Sequence, residues 1–135
     1  MFISSIAGVL VTPRQSLYAA TKFALRGFAL NLREDLRGSG VGVSVITPGL
    51  IRDAGMFAES GAEPPLGVGT STPEQVGNAV VRAIEHNKSE ICVAPLSQRP
   101  IARFAMIAPE MFGRVAGPAA APTMDEVAAG QKEKR

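Results

Sequence analysis

The residues of this chain best suited to proton transfer are Tyr18 and Lys22, four apart in the run SLYAATKFAL at residues 16–25. Four residues are about one helical turn, so on a helix the phenol and the ammonium stack on one face. A phenol in water titrates at about 10, which makes it a poor proton donor or acceptor at neutrality. An ammonium beside it stabilises the phenolate and lowers that value. A tyrosine tuned in this way gives or takes a proton at a carbonyl or alcohol oxygen. A nearby hydroxyl would hold that oxygen, and Ser4 and Ser5 are the candidates. Without its surroundings the pair reads more simply as an amphipathic couple whose lysine reaches solvent, so the elements around it decide.

Residues 2–5 form a short apolar run that closes in two serines and a small-residue turn, the pattern of a buried strand opening into a loop. Residues 16–37 have helical spacing, with apolar positions on more than one stripe, which predicts burial on more than one side. Arg33 and Arg37 suit the negative end of that helix, and Gly38 and Gly40 stop it. Residues 41–49, VGVSVITPG, are too continuously apolar for a sheet with one wet face and predict a buried parallel strand. A long Gly-, Ala- and Pro-rich loop with no element of its own follows, through residue 65. Thr72-Pro73-Glu74-Gln75 is a strong helix start, and the helix runs to about His86. EICVA at residues 90–94 is a third buried strand, and residues 99–115 predict one or two short helices interrupted at Pro109. From Ala116 onward the chain reads as a weakly ordered tail. The order is βαβαβ plus a tail, half of a doubly wound parallel sheet.

SSIAG, then YAATK with Tyr18 thirteen residues after Ser5, then ITPG ending the next strand, resembles the C-terminal half of a short-chain dehydrogenase/reductase. The resemblance covers residues 2–95 and implies a partial Rossmann-like fold: residues 1–97 as the C-terminal half of that domain, residues 98–135 as a variable segment. It implies NAD(P)-dependent interconversion of a small-molecule alcohol and ketone, with Ser5 orienting the substrate oxygen, Tyr18 as acid/base, and Lys22 tuning Tyr18 and bonding the nicotinamide ribose. Pro48, Gly49 and the backbone of Ile51 would meet the nicotinamide carboxamide. Ser5 is chosen over Ser4 by its spacing to Tyr18 in the family pattern. By position, residues 57–65 resemble the family's loop that closes over substrate. Homo-oligomers are common in the family and are expected of the intact enzyme.

Other parts of the family pattern are absent. No Gly-rich turn follows a first strand to cradle a pyrophosphate, no residue is placed to read the adenosine ribose, and the family's Asn-Asn-Ala-Gly segment is missing. Asp53 stands where the family often has Thr, and its charge opposes a cofactor phosphate. The sequence also opens directly on a strand pattern, so it is expected to be a fragment of a longer oxidoreductase, inactive and poorly folded by itself. The alternative is an inactive remnant or interaction module that keeps this half of the fold. The choice of NAD or NADP is not readable.

Composition excludes other classes. The formal charge is +2 with both signs mixed, which gives no call for nucleic acid. A single cysteine and a single histidine rule out an internal disulfide and paired-histidine chemistry, and no metal is expected. Cys92 is expected to be a small buried hydrophobe and His86 a partner of a helix C-terminus. No apolar run approaches the length of a membrane span, and a cytoplasmic protein is the default expectation. Arg99, Arg103 and Arg114 lie among Phe104, Met106, Ile107 and Met111, an amphipathic pattern that suits a membrane surface, although a substrate lid or subunit contact is the favoured reading.

Overall fold

The computed structural model describes residues 1–96 and 98–132. Strands β1 (Phe2–Ile3), β2 (Val45–Pro48) and β3 (Glu90–Val93) form one parallel sheet in the order β1-β2-β3. Phe2 pairs with Val45 and Val45 with Glu90, so one register line crosses all three strands. Helix α1 (Ser16–Asp35) crosses from β1 to β2, and α3 (Pro73–Glu85) from β2 to β3. Parallel neighbours require such crossovers, and the result is part of a Rossmann-like, doubly wound α/β sheet.

Val45 and Ile46, both 0% exposed, show why helices cover both faces. Successive strand residues point to opposite sides. Val45 packs with Ala29 and Val43, flanked by Leu30, Leu32 and Leu36 of α1 and its end. Ile46 packs with Ala79, Ala83 and Val93, flanked by Val76 and Val80 of α3. Burying each side chain contributes about 1.5–3 kcal/mol, and a slip of one residue would exchange the two faces. The start of α3 is fixed locally. The Thr72 hydroxyl accepts from the Gln75 amide at 3.2 Å, and the Gln75 side-chain oxygen accepts from the Thr72 amide at 3.0 Å.

Besides β1 and β3, expected as buried strands but with Ile3 43% exposed and Glu90, Ile91 and Cys92 only half-buried at the sheet's outer strands, the structure departs from the sequence reading in three places. The loop expected to hold no element contains a short helix, α2 (Gly55–Ser60). After α4 (Gln98–Ile107), the segment expected to be weakly ordered from Ala116 continues as α5 (Pro109–Lys132), despite Pro118 and Pro122 inside it. Tertiary packing overrides local preference here. Thr123, Met124 and Val127 are buried at helical spacing, and the Thr123 hydroxyl donates to the Glu63 carbonyl at 3.0 Å. Gly130 lets α5 rest on α2, because a Cβ there would lie 2.9 Å from the Ser60 Cα. Third, α1 was expected to be buried on more than one side, yet Ala29 is its only fully buried residue. Leu17, Phe23 and Phe28 are exposed, since the sheet and the turn at residues 6–8 cover one side only. Ser97, at the expected domain boundary, and residues 133–135 lie outside the described residues.

Candidate active site

Lys22 is held at both ends. Its ammonium donates to the Ile3 carbonyl at 3.2 Å, and its own carbonyl accepts from the buried Ser4 hydroxyl at 2.9 Å. The first bond ties the side chain to the end of β1, and the second ties the same stretch of chain to the backbone of α1. Gly8 closes the joint, because a Cβ there would sit 2.8 Å from both the Lys22 carbonyl oxygen and the Ser4 Oγ. Only a residue without a side chain permits that approach. One helical turn earlier, Tyr18 lies in the first turn of α1, with the Lys22 Nζ 5.6 Å from its ring centroid. That is within the range of a cation–π contact. The pair therefore shares one face, as the spacing predicts.

The two serines have different surroundings. Ser4 is buried and its hydroxyl hydrogen is committed to Lys22. Ser5 is half-buried and caps the turn at residues 6–8, its oxygen accepting from the Ala7 amide at 3.2 Å. A hydroxyl that accepts one bond still has its own hydrogen to donate. The structure joins Ser5 to that cap and gives it no bond to Tyr18 or Lys22.

Pro48 and Gly49 lie at the end of β2, beside the end of β1, where the Ser4 amide donates to the Ile46 carbonyl at 2.8 Å. The Gly49 amide donates to the Val93 carbonyl at 2.9 Å, so it belongs to the sheet ladder. Ile51 forms an isolated bridge with Ser71, made by the Arg52 amide to the Ser71 carbonyl and the Ser71 amide to the Leu50 carbonyl. That bridge leaves the Ile51 amide itself out. Asp53 has a left-handed backbone (φ 72°) and is exposed, with its carboxylate 3.4 Å from the Arg52 guanidinium. Ser5, Gly49 and Ile51 thus follow the carboxyl ends of parallel strands, the side on which open α/β sheets bind ligands.

Sequence reasoning missed an ion pair next to this group. The Arg26 guanidinium donates to both Glu90 carboxylate oxygens, at 2.7 and 2.8 Å, and the Thr47 hydroxyl donates to Glu90 at 2.9 Å. All three face the α1 side of the sheet, because Glu90 pairs with Val45 and Thr47 lies two residues after it. Burial pushes the Glu90 carboxyl up, but the bonds from Arg26 and Thr47 outweigh it and hold it below the usual carboxylate range. The bond to Glu90 raises Arg26 against the opposing effect of burial. One signal was available: Tyr18, Lys22 and Arg26 recur every four residues along one stripe of α1. Cys92 is half-buried, and burial pushes its thiol up while Arg99 works the other way. His86 caps α3, its amide donating to the Arg82 carbonyl at 3.1 Å.

Comparison with known proteins relates this chain to dehydrogenases. Residues 1–65 match the family model described as short chain dehydrogenase. A ketoacyl reductase of Nostoc sp. is 37% identical over 99 residues, which cover 73% of this chain and 33% of the relative. An uncharacterized oxidoreductase of Escherichia coli is 49% identical over 49 residues, covering 36% of this chain and 18% of the relative. A solved structure from Novosphingobium aromaticivorans, described as a short-chain dehydrogenase, superposes with a TM-score of 0.60 at 25% identity, covering 98% of this chain and 47% of that one. A 4-hydroxyisoleucine dehydrogenase complexed with NADH shares the fold at a TM-score of 0.52 and 20% identity, over 70% of this chain and 44% of that one. The chain spans about a third of the length of the first curated relatives it matches.

Proposed function

This chain belongs to the short-chain dehydrogenase/reductase family, and from that premise we propose that it carries the proton-transfer side of an NAD(P)-dependent interconversion of a small alcohol and its ketone. The observation that supports the reading most is the Tyr18–Lys22 pair, fixed beside the end of β1 by the bonds at Ile3 and Ser4. In the reductive direction Ser5 donates its remaining hydrogen to the carbonyl oxygen, and Tyr18 transfers its proton to that oxygen as the carbon takes hydride. In oxidation Tyr18 takes the proton back from the alcohol. The Lys22 ammonium lies over the same ring, 5.6 Å from its centroid.

The residues present fit the nicotinamide end of the cofactor. Lys22 gives one of its three N–H bonds to Ile3 and keeps two for a ribose hydroxyl. The Ile51 amide lies outside its bridge, a donor suited to a carboxamide oxygen next to the turn at Pro48 and Gly49. NAD or NADP bound there supplies the hydride in reduction and accepts it in oxidation. The 135 residues hold no Gly-rich turn for a pyrophosphate. We therefore read residues 1–97 as the C-terminal half of a dinucleotide-binding domain and residues 98–135 as its variable end, in a cytoplasmic homo-oligomeric enzyme inactive without its other half.

The assay uses the protein translated from the whole reading frame that contains these residues, with NADH or NADPH and a panel of ketones. The reading expects consumption of one reduced cofactor with at least one ketone. No consumption, from a folded protein that binds either cofactor, overturns it. The exposed Leu17, Phe23 and Phe28 of α1 favour one second reading, an inactive module that docks on a partner through that face.

A further inference from the structure

Helix α4 presents three different faces. At about 100° per residue, Gln98, Ala102 and Ala105 form the buried stripe against the protein. Ile101, Phe104 and Ile107 fall on a stripe turned away from it, and all three are exposed, Ile107 by 84%. The apolar surface continues into the first turns of α5 at Met111 and Val115, which are also exposed. Arg99 and Arg103 occupy the flank between these two faces.

That flank opens on a cavity of about 680 Å³ lined by Arg82, Lys88, Arg99 and Arg103 together with the Arg26–Glu90 pair. Glu90 is engaged by Arg26, and among the described ion pairs none involves the other four cations. No acidic residue occurs between Glu90 and Glu110, so the basic character of α4 is undiluted. Four cations outside the described ion pairs, with Arg99 also donating to the Ala94 carbonyl at 3.3 Å, next to an exposed apolar stripe match a surface that is anionic at its head and apolar beneath.

We propose that α4 and the start of α5 dock this protein on an anionic phospholipid surface, with Ile101, Phe104 and Ile107 entering the acyl boundary and Arg99, Arg103, Lys88 and Arg82 taking the phosphate headgroups. No helix among the described residues is long and apolar enough to cross a membrane. The inference does not rest on the oxidoreductase reading, and its test needs no turnover.

The experiment is co-sedimentation of the protein translated from the whole reading frame with vesicles of equal parts phosphatidylserine and phosphatidylcholine, and with vesicles of phosphatidylcholine alone. Binding is expected to the anionic vesicles and to weaken steeply with salt. The double substitution Arg99→Gln/Arg103→Gln is expected to lower the partition coefficient roughly thirtyfold, at the gain expected for two surface cations. Ile107→Glu should abolish binding with an unchanged circular dichroism spectrum, because its side chain is exposed. Equal binding to neutral vesicles, or full binding by Ile107→Glu, overturns the proposal. So does displacement by millimolar pyrophosphate that leaves Ile107→Glu as displaceable as the parent, which marks a site for free phosphate. Self-association in sedimentation velocity that Ile107→Glu removes, with no vesicle binding, assigns the face to a second copy and overturns it equally.

Discussion

Ser4 and Lys22 hold each other across the junction of sheet and helix: the buried Ser4 hydroxyl donates to the Lys22 carbonyl at 2.9 Å. The lysine in turn reaches back to the carbonyl of Ile3, the residue just before Ser4. Of the two adjacent serines, one therefore ties β1 to α1 and the other, Ser5, keeps a hydrogen to offer. This division makes the SS dipeptide intelligible, and it makes the site sensitive to residues that never touch substrate.

Gly8 is the most exacting of these. Gly8→Ala places a methyl 2.8 Å from the Lys22 carbonyl, a backbone atom that has little room to move. Urea denaturation should show a loss of about 1–3 kcal/mol, with activity in the complete protein falling by more than the folded fraction does. An unchanged midpoint and unchanged turnover would remove Gly8 from this role.

The Arg26–Glu90 pair predicts a pH dependence of stability. The Glu90 carboxyl is held low in the folded state, so between its folded and unfolded values the unfolded chain binds more protons and stability rises with pH. The contribution is complete above the unfolded carboxylate value of about 4.3 and is lost as pH falls through the folded one. Arg26 is raised from a value already above the working range and adds no slope there. Urea midpoints measured from neutrality into acid should fall less steeply for Glu90→Gln than for the parent, and superimposable slopes would contradict the assignment. Arg26→Met should cost about 1–3 kcal/mol at neutral pH, since it leaves the half-buried Glu90 carboxylate bonded, among the described residues, to the Thr47 hydroxyl.

Thr72→Ala removes the reciprocal cap of α3 and is expected to destabilise by about 0.5–2 kcal/mol, whereas Thr72→Ser should fall close to the parent. Chemical denaturation of the three proteins separates a cap from a mere surface threonine, for which all three would agree.

Cys92 should be slow to react. Burial raises its thiol, so less thiolate is present at neutral pH than in the unfolded chain. A disulfide reagent such as dithionitrobenzoate should label the native protein several-fold more slowly than the urea-unfolded one. Equal rates would mean the thiol is open and unperturbed.

What could be read from the sequence was what is local. Tyr18 and Lys22 stack because four residues make a turn, Thr72 and Gln75 cap because they are three apart, and Val45 and Ile46 alternate because strands do. Arg26 and Glu90 are 64 residues apart and no local pattern links them; their meeting depends on β3 pairing with β2. The helices α2 and α5 were hidden by composition, since Gly, Ala and Pro suggest loops unless the partner surface is known. Thr123, Met124 and Val127 did carry a helical spacing, but Pro118 and Pro122 masked it. The open face of α1 has a different origin: its apolar residues are as expected, and among the described residues the cover for them is missing.

The central claim is that the Tyr18 hydroxyl is the proton donor and acceptor. The direct measurement is steady-state turnover of Tyr18→Phe beside the parent, in the protein of the whole reading frame, with cofactor binding followed by fluorescence. The account predicts a fall of about a hundredfold or more in kcat, with the fold and cofactor affinity retained. Turnover within a few-fold of the parent would contradict it.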